Sequence, residues 1–178
     1  MDSINKNQEE DNFKNLAGAE ALEKVKALAK KAGSCMMCTN LNGTGPFATR
    51  PMGAEEIDED GNFWFLSASD SHKNKEITAD SRVQLVFQGS SYSDFMTLYG
   101  KGTISKDKQK IKDLWDPMMK NWFTEGEDDP RITVLKFAPS EGYYWDTKHG
   151  QAVAFAKSMI GSLIGKTMDD SEEGEIKV

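Results

Sequence analysis

Two short stretches of the sequence carry the side chains best suited to binding an anion. They are residues 48–52, Ala-Thr-Arg-Pro-Met, and residues 67–73, Ser-Ala-Ser-Asp-Ser-His-Lys. A phosphate monoester carries close to two negative charges and several acceptor oxygens, so it requires a guanidinium or ammonium group together with hydroxyl and amide donors. The side chains that supply such a set are Arg50, Ser69, Ser71 and Lys73.

The second stretch also resembles the start of a helix. Asp70 and Ser71 precede a run of polar, helix-forming residues up to position 80. A helix that begins there adds free backbone amides and the positive end of its dipole, both of which favour an anion. A serine-rich turn before a helix is equally the ordinary N-cap arrangement and needs no ligand. The sequence alone leaves both interpretations open.

Cysteine, acidic and histidine motifs do not add a second site. Cys35 and Cys38 have the spacing of a redox or metal pair, but positions three apart on a strand point to opposite faces, so we expect buried, reduced thiols. The acidic run 125–129 lacks the alternating spacing of a helix-loop-helix calcium site, which favours a solvated loop. His72 and His149 have no evident partner, and no serine lies in a G-x-S-x-G context. We therefore predict no metal ligand and no catalytic side chain.

The composition argues against several classes of partner. The formal net charge of -7 repels the phosphate backbone of nucleic acids and anionic bilayers. The sequence contains no apolar run of about 18 residues, and residues 1–15 lack the basic and apolar parts of a signal peptide. The expectation is a cytoplasmic protein that binds neither nucleic acid nor membrane.

Hydrophobic periodicity predicts a mainly β chain with flanking helices. Apolar residues recur at helical spacing over residues 21–32, before a capping Gly33, and over residues 151–164. Shorter helices are expected within residues 70–80 and after Asp107, a candidate N-cap. The predicted strands are 34–40, 47–52, 63–66, 83–88, 95–105, 132–137 and 142–146.

Turn and bulge signals in the strand-rich part favour a barrel over a parallel sheet. Asp60-Gly61 offers the positive φ angles of a tight hairpin, and Gly100 with Gly102 indicates a bulge or a close backbone approach. The predicted fold class is α+β, an antiparallel β-barrel of six or seven strands. We expect one domain over residues 16–164, a flexible tail at 1–15 and an acidic, disordered tail at 165–178.

Several motifs, taken in order, resemble a known superfamily over residues 16–147. The motifs are Ala48-Thr49-Arg50-Pro51-Met52, Phe63-Trp64-Phe65-Leu66-Ser67, Ser71-His72-Lys73, Leu114-Trp115-Asp116-Pro117, Trp122-Phe123, Asp128-Asp129-Pro130 and Tyr144-Trp145-Asp146. With these motifs the sequence is similar to the FMN-binding split β-barrels, and within them to the general stress protein 26-like branch of the pyridoxamine 5′-phosphate oxidase-like proteins.

The resemblance implies a homodimer with FMN bound at the subunit interface. Arg50 matches the family's first FMN-binding arginine, and Ser71-His72-Lys73 matches its Ser-Arg-Lys phosphate clamp with a histidine in place of the arginine. Because one permanent charge is missing, we expect weaker and more pH-dependent FMN binding. Trp115 resembles a residue offered by the partner subunit. The full set of expected cofactor-binding residues is Thr49, Arg50, Pro51, Met52, Leu66, Ser67, Ser69, Ser71, His72, Lys73 and Trp115.

The sequence departs from the true oxidase at the position of its substrate-reading element. After Trp145 it offers only Thr147-Lys148-His149, so we do not expect oxidation of pyridoxamine phosphate. Three functions remain open. The first is an FMN-dependent oxidoreductase that takes electrons from NAD(P)H for a small molecule. The second is a stress protein that binds or buffers flavin without turnover, and the third is a cofactor-free interaction module. The sequence does not separate FMN from FAD.

Overall fold

The fold is a strand-rich α+β arrangement built on a single sheet. The computed structural model describes residues 12–42, 45–91, 93–150, 153, 156–157, 159–160 and 170–178. The strands are β1 (Leu16–Ala17), β2 (Cys35–Thr39), β3 (Ala48–Met52), β4 (Glu56–Ile57), β5 (Phe63–Ala68), β6 (Arg82–Gln88), β7 (Phe95–Ser105), β8 (Ile132–Thr147) and β9 (Ser171–Lys177). The α-helices are α1 (Gly18–Ala32), α2 (His72–Ala79) and α3 (Lys108–Leu114), and 3₁₀ turns occupy Pro117–Asn121 and Gly126–Asp128.

The sheet has an open edge at β3, where the candidate site lies. Its main path runs β1-β9-β8-β7-β6-β2-β3, and β5 pairs with the first half of β8 while β4 pairs with β5. Among the described residues β3 pairs with β2 on one side only, so it forms an edge. The mainly antiparallel strands and the open sheet confirm the predicted split-barrel fold class.

Helix α1 closes one side of the sheet, as its sequence periodicity predicted. Its buried residues, Ala21, Val25, Leu28 and Ala29, lie three or four positions apart and form one face. The helix ends at Gly33, whose φ of 70° places it in the left-handed region that glycine adopts without a Cβ clash.

Hydrophobic residues form two clusters on opposite faces of β5. Phe63 and Phe65 belong to the larger cluster, which fills the space between the sheet and α1. Leu66 belongs to the smaller cluster, which α3 covers with Ile111 and Leu114 and to which Phe123, between the two 3₁₀ turns, also belongs. This division follows from the alternation of side chains along a strand, and it decides which residues of β5 are accessible.

Several local predictions are confirmed. The register between β7 and β8 shifts between Tyr99 and Gly100, and a Cβ on Gly100 would lie 2.1 Å from the Ala138 carbonyl oxygen. Asp107 caps α3 by accepting hydrogen bonds from the amides of Gln109 and Lys110. The turn before β5 has a positive φ at Gly61 (82°) but not at Asp60, so the prediction for Asp60 was wrong.

The structure corrects the predicted strand count. Residues 132–147 form one strand instead of two, because Pro139 lies at the bulge opposite Gly100, where a missing amide donor is tolerated. With the two-residue strands and β9, the described residues form a sheet of nine strands instead of six or seven.

The acidic C-terminal segment is ordered where it is described, contrary to the predicted disorder of residues 165–178. Residues 171–177 form β9, which pairs antiparallel with β8 and in parallel with β1. Ile176 anchors the strand because its side chain is fully buried in the larger cluster. At the other terminus Phe13 forms a bridge to Glu173, so residues 12–15 are attached to the sheet.

Two further sequence predictions lie largely outside the described residues. Residues 1–11 and 165–169 belong to the predicted tails and are not described. Within the predicted helix 151–164, residues 153, 156–157 and 159–160 have helical backbone. No helix in the described part of the chain is long and apolar enough to span a bilayer.

Candidate phosphate-binding site at the sheet edge

Arg50 lies on the open edge strand and faces the barrel interior. It is the cross-strand partner of Met37, which is fully buried in the larger cluster, so the two side chains share a face. Met52, two residues further along β3, packs against the same cluster. Thr49 and Pro51 point to the opposite, outer face. The four predicted residues of β3 therefore divide between two sides of the sheet.

The Arg50 guanidinium forms a closed ring of hydrogen bonds with Thr39 and Glu76. Its Nη1 donates to Thr39 Oγ1 at 2.5 Å and its Nη2 donates to Glu76 Oε2 at 2.7 Å. The Thr39 hydroxyl in turn donates to Glu76 Oε2 at 2.6 Å. The ring joins edge strand β3 and its neighbour β2 to helix α2, and the Arg50 and Glu76 side chains are 21% and 24% exposed. It thus bridges the open side of the sheet.

The electrostatics of this ring favour charged forms at neutral pH. Burial acts to raise the pKa of Glu76, but hydrogen bonds from Thr39 and Arg50 and the nearby charges of Arg50 and His72 outweigh it and hold the pKa below its ordinary value. Glu76 is therefore a carboxylate under physiological conditions.

Lys73 is the second cation at this site. Burial, and secondly the charge of Arg50, lower the pKa of Lys73 from its ordinary value. Among the residues that the structure describes, no acid forms an ion pair with Lys73. A half-buried ammonium beside a guanidinium, without its own counter-ion, is a site that attracts an anion.

Hydrogen bonds of Ser67 and Ser71 hold the start of α2 in place. The Ser71 side chain accepts from the amide of Asn74, so the N-cap interpretation is confirmed for this residue. Ser67 Oγ donates to Asn74 Oδ1 at 2.7 Å, and Asn74 Nδ2 donates to Thr133 Oγ1 at 2.8 Å. Because Ser67 is only 1% exposed, its hydroxyl serves this buried network and does not face a ligand.

The remaining predicted residues take part in packing or backbone contacts. Leu66 is buried in the smaller cluster, and Trp115 packs against the same cluster of its own chain. Ser69 is half-buried, and its amide donates to the Arg131 carbonyl at 2.7 Å. The structure thus brings Arg50, Lys73 and the exposed His72 together. Ser67 contacts Ser71 at the start of α2 at 3.3 Å between the two hydroxyl oxygens, but it is buried. The expectation that Trp115 of a partner subunit contributes to the site stays a prediction.

Sequence reasoning missed Thr39 and Glu76. Glu76 follows Lys73 by three positions and His72 by four, which on a helix places all three on neighbouring parts of one face. That spacing is a usable signal, although it does not identify Arg50 as the partner. Thr39 gives no signal in sequence, because its contact with Arg50 depends on the pairing of β2 with β3.

The outer face of the sheet, where Thr49 and Pro51 lie, carries several large side chains. Cross-strand pairs place Thr49, Cys38, Gln84 and Tyr99 in one row and Pro51, Met36, Val86, Thr97 and Tyr143 in the next. Three large side chains on this face remain accessible, namely Met36 (40%), Tyr99 (44%) and Trp145 (42%).

Other features offer less chemistry. A cavity of about 380 Å³ lies between α1 and β4, and none of the predicted site residues is among those described as lining it. Cys35 borders this cavity, and burial, with a smaller contribution from Cys38, raises the pKa of its thiol to about 12, so it is not a nucleophile near neutral pH. In the described ranges no three histidine, cysteine or acidic side chains cluster as metal ligands.

The donor set fits the phosphate end of a flavin nucleotide. Arg50 and Lys73 supply charge, and the first amides of α2 have no acceptor within the helix. No acidic side chain besides Glu76 contacts Arg50 in the described part of the molecule. Thr49 and Pro51 are exposed on the outer face.

Comparison with known proteins identifies the family of the chain. The family model described as "Pyridoxamine 5'-phosphate oxidase like" matches residues 20–169. A curated relative, protein bli-3 of Neurospora crassa, is 24% identical over 118 residues. The match covers 61% of this chain and 56% of the relative, so the chain spans little more than half of that protein's length.

Solved structures share the fold. A protein described as a general stress protein 26 from Jannaschia sp. CCS1 superposes with a TM-score of 0.73 at 23% identity, covering 90% of this chain and 100% of that one. A general stress FMN/FAD binding protein from Xanthomonas citri gives a TM-score of 0.54 at 26% identity, covering 67% and 84%. The resemblance found in the sequence is thereby confirmed.

Proposed function

Because the chain belongs to the pyridoxamine 5'-phosphate oxidase-like family, we propose that it binds FMN and acts as a flavin-dependent oxidoreductase on a small molecule. The observation that carries this proposal is Lys73, a half-buried ammonium beside Arg50 that pairs with no described acid. The FMN/FAD-binding relative from Xanthomonas citri supports a flavin as the anion.

In this proposal Arg50, Lys73 and the first amides of α2 hold the flavin phosphate. Thr49 and Pro51, on the outer face, border the remainder of the cofactor, and Met52 supports β3 from the inner side. The bound flavin supplies the hydride and electron transfer chemistry. Ser67, Asn74 and Thr133 keep α2 in register with β5 and β8, so that Lys73 stays beside Arg50.

We further propose that a second copy of this chain covers the outer face. Met36, Tyr99 and Trp145 lie on this face and are each exposed by 40% or more, and large apolar side chains are costly to leave in water. The predicted flavin-contacting residues Thr49 and Pro51 lie on the same face, so a second subunit there would also exclude water from the cofactor. The test is the native mass, and Tyr99→Lys should shift it from dimer toward monomer.

The experiment that tests flavin binding is the visible spectrum and FMN titration of the freshly purified protein. Wild type should bind FMN, and Lys73→Met should bind it more weakly than Lys75→Met, which removes an equal charge from an exposed position on the same helix. A wild-type protein that neither carries a flavin nor shifts its melting temperature with FMN contradicts the proposal and leaves a cofactor-free interaction module.

A second candidate function is flavin binding or buffering without turnover. The observation that favours it is the engagement of Arg50 by Glu76, which leaves less positive charge for the phosphate. Anaerobic mixing of the flavin-loaded protein with NADH or NADPH separates the two functions. Bleaching of the flavin absorbance followed by turnover supports the oxidoreductase, whereas flavin that stays oxidised with both donors supports buffering.

A further inference from the structure

Glu76 occupies the position from which an anion would reach Arg50. Its Oε2 accepts hydrogen bonds from both Arg50 Nη2 and Thr39 Oγ1. The carboxylate therefore occupies a donor of the guanidinium that a phosphate oxygen would otherwise accept from. The distance of 2.7 Å between Arg50 Nη2 and Glu76 Oε2 is that of a charge-assisted hydrogen bond, and both side chains are mostly shielded from water. The ring of contacts therefore contains an internal anion.

We propose that Glu76 is an internal competitor that sets how strongly this site binds the phosphate of a flavin. The inference rests on the proposed function, because it concerns the same anion site. With Glu76 ionised, the formal charge of Arg50, Lys73 and Glu76 together is +1, whereas a phosphate monoester brings close to two negative charges. The carboxylate of Glu76 therefore leaves the site with less positive charge than the FMN phosphate requires.

The position of Glu76 explains why it opposes binding instead of assisting it. A phosphate that approaches Arg50 and Lys73 either shares the guanidinium with Glu76 or displaces it. Sharing places like charges close together in a poorly solvated region. Displacement breaks the hydrogen bonds from Arg50 and Thr39. Both routes lower the affinity for a phosphorylated ligand and leave an unphosphorylated flavin unaffected.

The test compares FMN with riboflavin, which lacks the phosphate, in wild type, Glu76→Gln and Glu76→Ala. Removing one like charge several ångströms from the phosphate should tighten FMN binding by roughly five- to twentyfold. The affinity for riboflavin should change by less than about twofold, since Coulomb repulsion acts on the charged phosphate. The ratio of the two dissociation constants within each variant corrects for any loss of folded protein.

Glu56→Gln is the matched control. Glu56 is also ion-paired at 2.7 Å, with Lys110, so its substitution makes the same change in net charge without touching the Arg50 ring. Its ratio of FMN to riboflavin affinity should equal that of wild type. If Glu56→Gln raises the ratio of FMN affinity to riboflavin affinity as much as Glu76→Gln does, the tighter FMN binding results from net charge alone and the inference is overturned.

The remaining outcomes separate this inference from the proposed function. If wild type binds FMN and the Glu76 variants bind it equally or more weakly, Glu76 positions Arg50 and the inference fails while flavin binding stands. If wild type binds no FMN but Glu76→Gln does, the inference is supported directly. If neither protein binds FMN or riboflavin, the inference and the proposed function both fail.

Discussion

Lys73→Met should reduce FMN affinity without destabilising the folded protein. In the described structure Lys73 has no acidic partner, so methionine leaves no carboxylate unpaired. Burial and the charge of Arg50 both lower the pKa of Lys73, which means that the fold disfavours its charge. Replacing the ammonium with an apolar group of similar length removes that penalty, and we expect a thermal midpoint equal to or above that of wild type.

The loss of affinity follows from the contact that is removed. A charge-assisted hydrogen bond contributes about 1.5–3 kcal/mol, which corresponds to a roughly 10- to 150-fold increase in the dissociation constant. Titration calorimetry with FMN measures this change, and differential scanning fluorimetry of the ligand-free protein measures the midpoint. Lys75→Met, exposed on the same helix, should match wild type in both assays.

Arg50→Ala should differ from Lys73→Met in its effect on stability, because Arg50 forms hydrogen bonds with Thr39 and Glu76. Its removal leaves Glu76 without a counter-ion and Thr39 without a donor, so stability should fall as well as affinity. We expect a loss of about 1–2 kcal/mol, or a midpoint roughly 2–8 °C lower. If Lys73→Met binds FMN like wild type, or if it lowers the midpoint as much as Arg50→Ala, the reasoning about an unpaired ammonium is refuted.

Three further predictions concern the scaffold. Because the pKa of Cys35 is raised to about 12, iodoacetamide at pH 8 should modify it in urea but not in the folded protein, as mass spectrometry will show. Burial acts to raise the pKa of Asp94, but hydrogen bonds from Lys31 and two serines lower it to about 2. Its stabilisation is therefore complete above about pH 4 and lost as the pH falls through about 2, and Asp94→Asn should flatten that part of an acid-unfolding curve. Deleting residues 170–178 removes β9 and the core side chain of Ile176, so light scattering should detect aggregation through the exposed β8 edge.

Short-range signals in the sequence were sufficient for most elements. Gly33 ends α1, Asp107 begins α3, and Gly100 lies at the bulge, because each of these depends on the backbone preference or the hydrogen bonds of a few adjacent residues. The anion-binding character of Arg50 and Lys73 likewise follows from residue type, since a guanidinium and an ammonium bind phosphate in any fold.

Long-range pairing decided what the sequence left open. The sequence predicted two strands at 132–137 and 142–146, but the bulge opposite Gly100 accommodates Pro139 and the strand continues. The acidic segment 171–177 looked unable to fold, yet the free edge of β8 supplies hydrogen-bond partners and the core accepts Ile176. Neither outcome is visible in residues that are neighbours along the chain.

The composition of the candidate site shows the same division. Residue types and local spacing were enough to predict the fold class, the family resemblance and the two cations. The inward orientation of Ser67 and the contact between Glu76 and Arg50 follow only from the folded chain. Those contacts join β2, β3 and α2 across the open side of the sheet, and their existence depends on strand register and helix placement, which no local pattern encodes.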